Sequence, residues 1–222
     1  MKYAYHTWEM YCRRHDLGLI LFDDHLIAKS DPNWKNPYWQ KFLIGDHLSK
    51  QKLGIRSVCC LDTDILISPL APNIFENRDE SKVGLVSLRK NLAYPYEGSL
   101  RRMAFLRNRY FDQSYPLDSS LFVSIDGLYE MIGLDSQDDE ACSGVFVFNC
   151  ELHGLNMSNF YNSFDKSVMD RDGGGEQIFL NHFVQSKGLV EWLEYRFQAM
   201  WTYEMANKYP FLYKEKDQDL SL

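Results

Sequence analysis

Two short apolar runs, each broken off by acidic residues, constrain this chain most. Ser57–Leu61 ends at Asp62-Thr63-Asp64, and Leu17–Phe22 ends at Asp23-Asp24. Each run has the length of a buried strand. Between them, Trp39, Phe42, Leu43 and Leu53 recur at helical spacing, after Asp31 as N-cap and Pro32 in the first turn and before Gly54. Strand, helix, strand in that order predicts an α/β fold with a mostly parallel central sheet flanked by helices. Ligands of such sheets bind at the carboxyl ends of the strands. That is where the acidic residues stand.

The rest of the chain extends this pattern. Tyr3–His15 reads as a helix carrying Ala4, Trp8, Tyr11 and Cys12 on one face. Val83–Leu88 and Val145–Phe148 read as further strands. Ser99–Phe111, Asn156–Met169 and Glu176–Lys187 read as helices, the last two separated by Gly173-Gly174-Gly175. No internal repeat or linker interrupts the chain. Residues 1–213 are therefore expected to form one domain, followed by a charged tail over 214–222.

Composition excludes several classes of function. The 222 residues are 45% hydrophobic and 25% charged, which rules out disorder as the main state. A formal net charge of −7 opposes binding to nucleic acid or to an anionic membrane surface. There is no 18-residue apolar run, and Met1–Asp16 lacks the apolar stretch of a signal peptide. The five cysteines are odd in number, and Cys59 and Cys60 are adjacent, so they point to opposite faces of a strand. Reduced cysteines in a cytoplasmic protein are the expectation.

An Asp-x-Asp triplet says little alone. Random placement of 19 Asp predicts about 1.6 of them, and three occur: Asp62/Asp64, Asp170/Asp172 and Asp217/Asp219. Only the first lies between two apolar runs. Carboxylates in that setting need a partner, and a hard divalent cation is a natural one. A solvated turn capped by Asp62 and Asp64 accounts for the same letters. So does a haloacid-dehalogenase-like phosphatase with Asp62 as nucleophile. That pattern wants Thr or Val two places beyond the second Asp, where this chain has Leu66, and Asp138-Asp139 is its only downstream acidic pair of note.

Further stretches, taken in order, carry a resemblance. Tyr38-Trp39-Gln40-Lys41-Phe42 precedes the Asp pair. Ile65–Leu70 and Asn73–Glu76 follow it. Cys142-Ser143-Gly144-Val145-Phe146-Val147-Phe148-Asn149 and Gly175-Glu176-Gln177-Ile178-Phe179-Leu180-Asn181 come later. Together they resemble the nucleotide-sugar transferases of the glycosyltransferase A fold. The likeness is to the retaining family-eight clan of glycogenin and the lipopolysaccharide galactosyltransferases, and it spans roughly residues 3 to 213.

The resemblance implies a Rossmann-like sheet, a nucleotide-sugar donor (a UDP-sugar) and transfer to a saccharide or other hydroxyl acceptor with retention. It implies Mn2+ or Mg2+ on Asp62 and Asp64, with Thr63 between them in the donor site. It implies Lys41 facing the donor, Ser143 and Gly144 at the strand edge beside the donor sugar, and Glu176 and Gln177 beside the anomeric carbon. The chain departs from the pattern at Cys142, where the clan has Asn, and at Glu176, where it has Asp. It also lacks a C-terminal His as third metal ligand, for which His153 and His182 are the possible substitutes. The clan opens with a strand at the nucleotide base, and Met1-Lys2-Tyr3 leave no room for it, so a sheet without that first strand is expected. The chain is then expected to be either a truncated or compact member or one whose fold a partner or further copy completes. A catalytically weak saccharide- or nucleotide-binding relative acting in an assembly remains a reading of the same departures.

Plainer roles stand beside these. Glu176 suits the dipole of the helix it begins, and Lys41 is otherwise a solvated charge. Trp34, Trp39, Trp192 and Trp201 are expected in packing more than in ligand stacking. Arg101, Arg102, Arg107 and Arg109 fit a solvated helix face. Gly173–Gly175 fit either a lid or a connecting loop.

Overall fold

A computed structural model describes residues 3–110, 120–171 and 175–214. The expectations that fall on Gly173, Gly174, Asp172, Asp217, Asp219 and the tail from 215 onward lie outside the described residues.

Helix α1 (Ala4–His15) forms as the spacing of Trp8 and its neighbours predicts. Leu17–Phe22, expected as a buried strand, is instead irregular. Its four last residues are 37–45% exposed. An apolar run alone does not specify a strand; it needs a paired neighbour, and among the described residues this one has none. The helix expected from Asp31 starts later. Asp31 accepts the Asn33 amide in a local turn (2.7 Å), while Asn36 caps α2 (Pro37–Gln40) with Pro37 in its first turn. A 3₁₀ turn, Lys41–Leu43, leads into α3 (Ile44–Lys50).

Strands β1 (Ser57–Leu61) and β2 (Val83–Ser87) lie within or close to their predicted bounds. They are followed by α4 (Tyr96–Tyr110) and α5 (Ile125–Ile132). Strand β3 runs over Ala141–Asn149, and its end residue Asn149 caps α6 (Cys150–Asn162). Then come α7 (Gln177–Ser186), β4 (Val190–Leu193) and α8 (Trp201–Asn207).

The four strands form one open mixed sheet in the order β1-β3-β2-β4. The expectation of a mostly parallel sheet is corrected here. β3 pairs antiparallel with both β1 and β2, and β2 pairs parallel with β4. Strand direction is not written in an apolar run, so the sequence pattern could not reveal this inversion. One consequence survives it. β1, β2 and β4 point the same way, so their carboxyl ends share an edge with the start of β3.

Side chains alternate across the sheet as a period of two requires. Phe146, Phe148, Leu85 and Cys60 enter a core under Trp39, Phe42, Met157, Phe179 and Phe183. Val145, Val147, Val86, Cys59 and Leu61 face a second cluster with Ile74 and Tyr195. Adjacent Cys59 and Cys60 therefore part to opposite faces, and all five cysteines are free thiols. A third cluster joins α4 and α8 through Met103, Leu106 and Tyr203. Trp39 is fully buried in packing, and Trp201 is exposed and stacked on Tyr209. Helices α3 and α6 cross at Gly45 and Gly154, where an added Cβ on Gly154 would stand 2.6 Å from the Asp46 amide nitrogen. No described helix is long and apolar enough to cross a membrane.

Candidate functional site

The register of β3 shifts where it meets the end of β2. Leu85 pairs with Phe146, but the next residue, Val86, pairs with Cys142. Ser143, Gly144 and Val145 are the extra residues on the β2 side, so a bulge sits there. Bulges bend a strand and free its backbone groups, and they gather near functional sites. Gly144 within a strand was the sequence signal for it. On the other side Leu61 still pairs with Val145, and the Asp62 amide donates to Gly144 O at 2.8 Å. The bulge therefore holds Asp62 against the strand that carries Ser143.

Lys41 closes the cluster from the opposite layer. Its turn is pinned by buried Trp39 and Phe42, and its Nζ reaches three oxygens. Asp62 Oδ1 is at 2.6 Å and Glu176 Oε1 at 3.0 Å. The Ser143 carbonyl, freed by the bulge, accepts at 3.2 Å. The Lys41 side chain is 14% exposed, Glu176 5% and Asp62 34%. Burial acts to lower the Lys41 pKa, but the Glu176 and Asp62 carboxylates outweigh it and leave it raised. Lys41 is an ammonium at any physiological pH.

Glu176 occupies the N-cap position of α7, yet its side chain caps no amide. Its carboxylate is committed to Lys41. The neighbouring Gln177 turns inward and accepts the Ser143 amide at 3.3 Å, while its Nε2 donates to Glu140 Oε1 at 3.0 Å. Glu140 is 1% exposed and takes Nε and Nη2 of Arg89 at 2.9 and 2.6 Å. Arg89 also donates to the Val123 and Ser120 carbonyls. Gln198 fills the space under the bulge; with its amide assigned by its partners, the nitrogen donates to Cys142 O and the oxygen accepts from Val145 N, at 3.3 Å each.

The structure thus brings together Lys41, Asp62, Ser143, Gly144, Glu176 and Gln177. They come from four separate stretches of chain. Thr63 and Asp64 stand apart from these hydrogen bonds, both exposed in the turn after β1, where the Ile65 amide donates to Asp62 O at 3.2 Å. Sequence reasoning missed Arg89, Glu140 and Gln198. Each is a long polar side chain in an otherwise ordinary stretch, and only the fold reveals that it is buried.

The two histidines considered as metal ligands are elsewhere. His153 lies at the far end of the sheet, its ring bonded to the Asn149 amide and the Ser81 carbonyl. His182 rests beside Tyr129 on α7, and burial lowers its pKa. Burial pushes the Cys142 thiol pKa up to about 11, which disfavours its thiolate. Among the described residues there is no group of three or more His, Cys, Asp or Glu side chains placed to hold a metal.

The donor chemistry decides which ion suits the site. Asp62 meets Lys41 through Oδ1, and Asp64 stands two residues on in the turn. One or two carboxylates, with substrate phosphates and water, is how Mg2+ and similar hard ions are bound. The set does not suit a closed structural cage or a soft ion.

The Arg101, Arg102 and Arg109 side chains project from α4 into solvent, Arg101 beside Glu97, as a solvated face predicts. Compared with protein-family models, curated proteins and solved structures, the chain gave no match in any of the three.

Proposed function

We propose that the chain is a metal-dependent glycosyltransferase of the Rossmann-like glycosyltransferase A type. It takes a nucleotide sugar, a UDP-sugar in the first instance, and transfers the sugar to a saccharide or other hydroxyl acceptor. One observation carries the reading. Lys41, Asp62, Ser143 and Glu176, singled out from four sequence motifs, meet within hydrogen-bond distance at the carboxyl edge of the strands. A buried, charge-coupled cluster at such an edge is a functional-site candidate on physical grounds alone.

In this reading Asp62 and Asp64 hold Mn2+ or Mg2+. The bound ion supplies charge neutralisation to the departing diphosphate. Lys41 adds a positive charge on the same side. Glu176, held by Lys41 and shielded from water, keeps a carboxylate near the anomeric carbon, where positive charge develops as the glycosidic bond breaks. Ser143 and Gly144 let the donor sugar approach backbone. Gln177 is engaged at both ends of its amide, so it positions the bulge. Retention of configuration belongs to this proposal through the resemblance alone.

The test is release of nucleoside diphosphate from nucleotide sugars offered with saccharide acceptors, in Mn2+ and in chelator. Metal-dependent release that Asp62→Asn abolishes is the expected result. Binding of the nucleotide without any turnover would favour the inactive relative in an assembly. Release of phosphate from a simple phosphomonoester, with a covalent aspartyl intermediate at Asp62, would favour the phosphatase instead.

A further inference from the structure

Lys41 is fully engaged before any ligand arrives. An ammonium has three protons, and Lys41 Nζ meets three oxygens: Asp62 Oδ1 at 2.6 Å, Glu176 Oε1 at 3.0 Å and Ser143 O at 3.2 Å. No proton is left for a diphosphate. To touch a ligand, Lys41 must release one of these partners.

The partners are not equal. Glu176 is 5% exposed and Asp62 34%. Releasing Glu176 would leave a buried carboxylate without a counter-charge, which is strongly unfavourable. Releasing Asp62 frees a carboxylate that water or a cation can reach. The bond to Asp62 is therefore the one that opens.

A divalent cation also needs Asp62. Bound there, it would stand within a few ångströms of the ammonium, on a carboxylate two-thirds shielded from solvent. Two cations so close repel strongly where screening is weak. A diphosphate relieves this repulsion, because its oxygens can accept from Lys41 and ligate the cation together.

Resting on the transferase reading, we propose that Lys41 is an internal placeholder cation on Asp62. A divalent cation holds Asp62 tightly only together with a diphosphate that takes over the ammonium. Metal and diphosphate therefore bind with positive coupling, and by linkage each raises the affinity of the other by the same factor. Bare metal binds weakly, and the ion's hold loosens when the diphosphate leaves.

The test is calorimetric titration of Mn2+ into the full chain, with and without saturating UDP. In the unaltered protein, UDP raises Mn2+ affinity roughly 5- to 150-fold, the usual range of such coupling. In Lys41→Met, Mn2+ alone binds at least about fivefold tighter than in the unaltered protein, and the effect of UDP shrinks. If Lys41→Met fails to fold because Glu176 is left unpaired, Lys41→Met/Glu176→Gln removes that charge and carries the same measurement. Equal affinity for Mn2+ alone with and without the Lys41 ammonium overturns the inference and leaves the transferase reading standing. Absence of Mn2+ binding in every protein, even with UDP, overturns the transferase reading and the inference with it.

Discussion

Replacing Gly144 by Ala tests the bulge and the cluster in one step. A Cβ built there stands 2.6 Å from the end of the Gln198 side-chain amide, 3.2 Å from Asp62 Oδ2 and 3.6 Å from Cys142 Sγ. Ordinary contact needs about 3.5 Å, so the Gln198 amide must withdraw by roughly 1 Å. It has no room to do so freely, being 6% exposed and bonded to Cys142 O and Val145 N. Losing those two bonds costs about 1 kcal/mol each. Overpacking in a tight interior costs about 1–3 kcal/mol in general. The two figures describe the same event, so about 1–3 kcal/mol is the expected loss. Asp62 Oδ2 must also yield by a few tenths of an ångström, which crowds the oxygen left open to a cation. Denaturant unfolding measures the first effect, and the rise in melting temperature with UDP and Mn2+ measures the second. Gly18→Ala is the control, since no atom lies within 4 Å of its added Cβ. A Gly144→Ala protein within about 0.5 kcal/mol of the original, the range of inert surface changes, with unchanged ligand response, would refute the packing described here.

Other perturbations separate the scaffold from the site. Gly154→Ala forces the α3 and α6 backbones apart, because its Cβ meets Asp46 N and Gly45 C at 2.6 Å. It should cost at least as much as the about 1–3 kcal/mol of overpacking, read by denaturant unfolding, with nucleotide response kept in the folded fraction. Arg89→Met removes the counter-charge of the buried Glu140 carboxylate, and unfolding should show a loss of about 3–5 kcal/mol, of which Arg89→Met/Glu140→Leu recovers part. Glu204 offers a pH test. Burial acts to raise its pKa, but hydrogen bonds from Lys208, Tyr94 and Tyr195 outweigh it and lower it. Its contribution to stability is thus full above about pH 4.3, the unfolded value, and is lost as pH falls through the lower native value. Glu204→Gln should lower stability near neutrality and flatten the acid limb of a stability–pH curve; parallel curves would contradict this.

The sheet and the site were legible to different degrees. β1 was readable to the residue, because Ser57–Leu61 is apolar and closes sharply at Asp62. β3 was readable only in its apolar half, 145–148. Of its first four residues, Ala141 and Cys142 pair with β2 and Ser143 and Gly144 form the bulge, so no continuous apolar run marks them. Leu17–Phe22 misled for the converse reason: its composition fits a strand, but none of the described residues pairs with it as a strand. The start of α6 was placed six residues late, although Asn149 was available as a cap accepting from Glu151 and Leu152. Strand direction was out of reach, since an inverted β3 alternates its side chains as a parallel strand would.

At the site, spacing identified residues but not their bonds. Glu176 and Lys41 each had a bland reading as a helix-dipole acid and a solvated charge. Lys41 is largely buried rather than solvated, whereas Glu176 caps no amide but does stand at the helix N-terminus, where its charge also suits the dipole. Asp64 and Thr63 carried equal weight with Asp62 in the motif, yet only Asp62 enters the hydrogen-bonded cluster, because the backbone pairing to Gly144 stops at that residue.

The central claim is that the cluster around Asp62 receives a diphosphate together with a divalent cation. Thermal unfolding with UDP in Mn2+, in Mg2+ and in chelator tests it most directly. A ligand at 100 times its dissociation constant stabilises the folded state by about 2.7 kcal/mol, enough to move the melting temperature by several degrees in a chain of this size. The account predicts that shift with metal present, its loss in chelator, and its loss in Asp62→Asn. An equal shift with and without metal, or no shift with any nucleoside diphosphate, contradicts it.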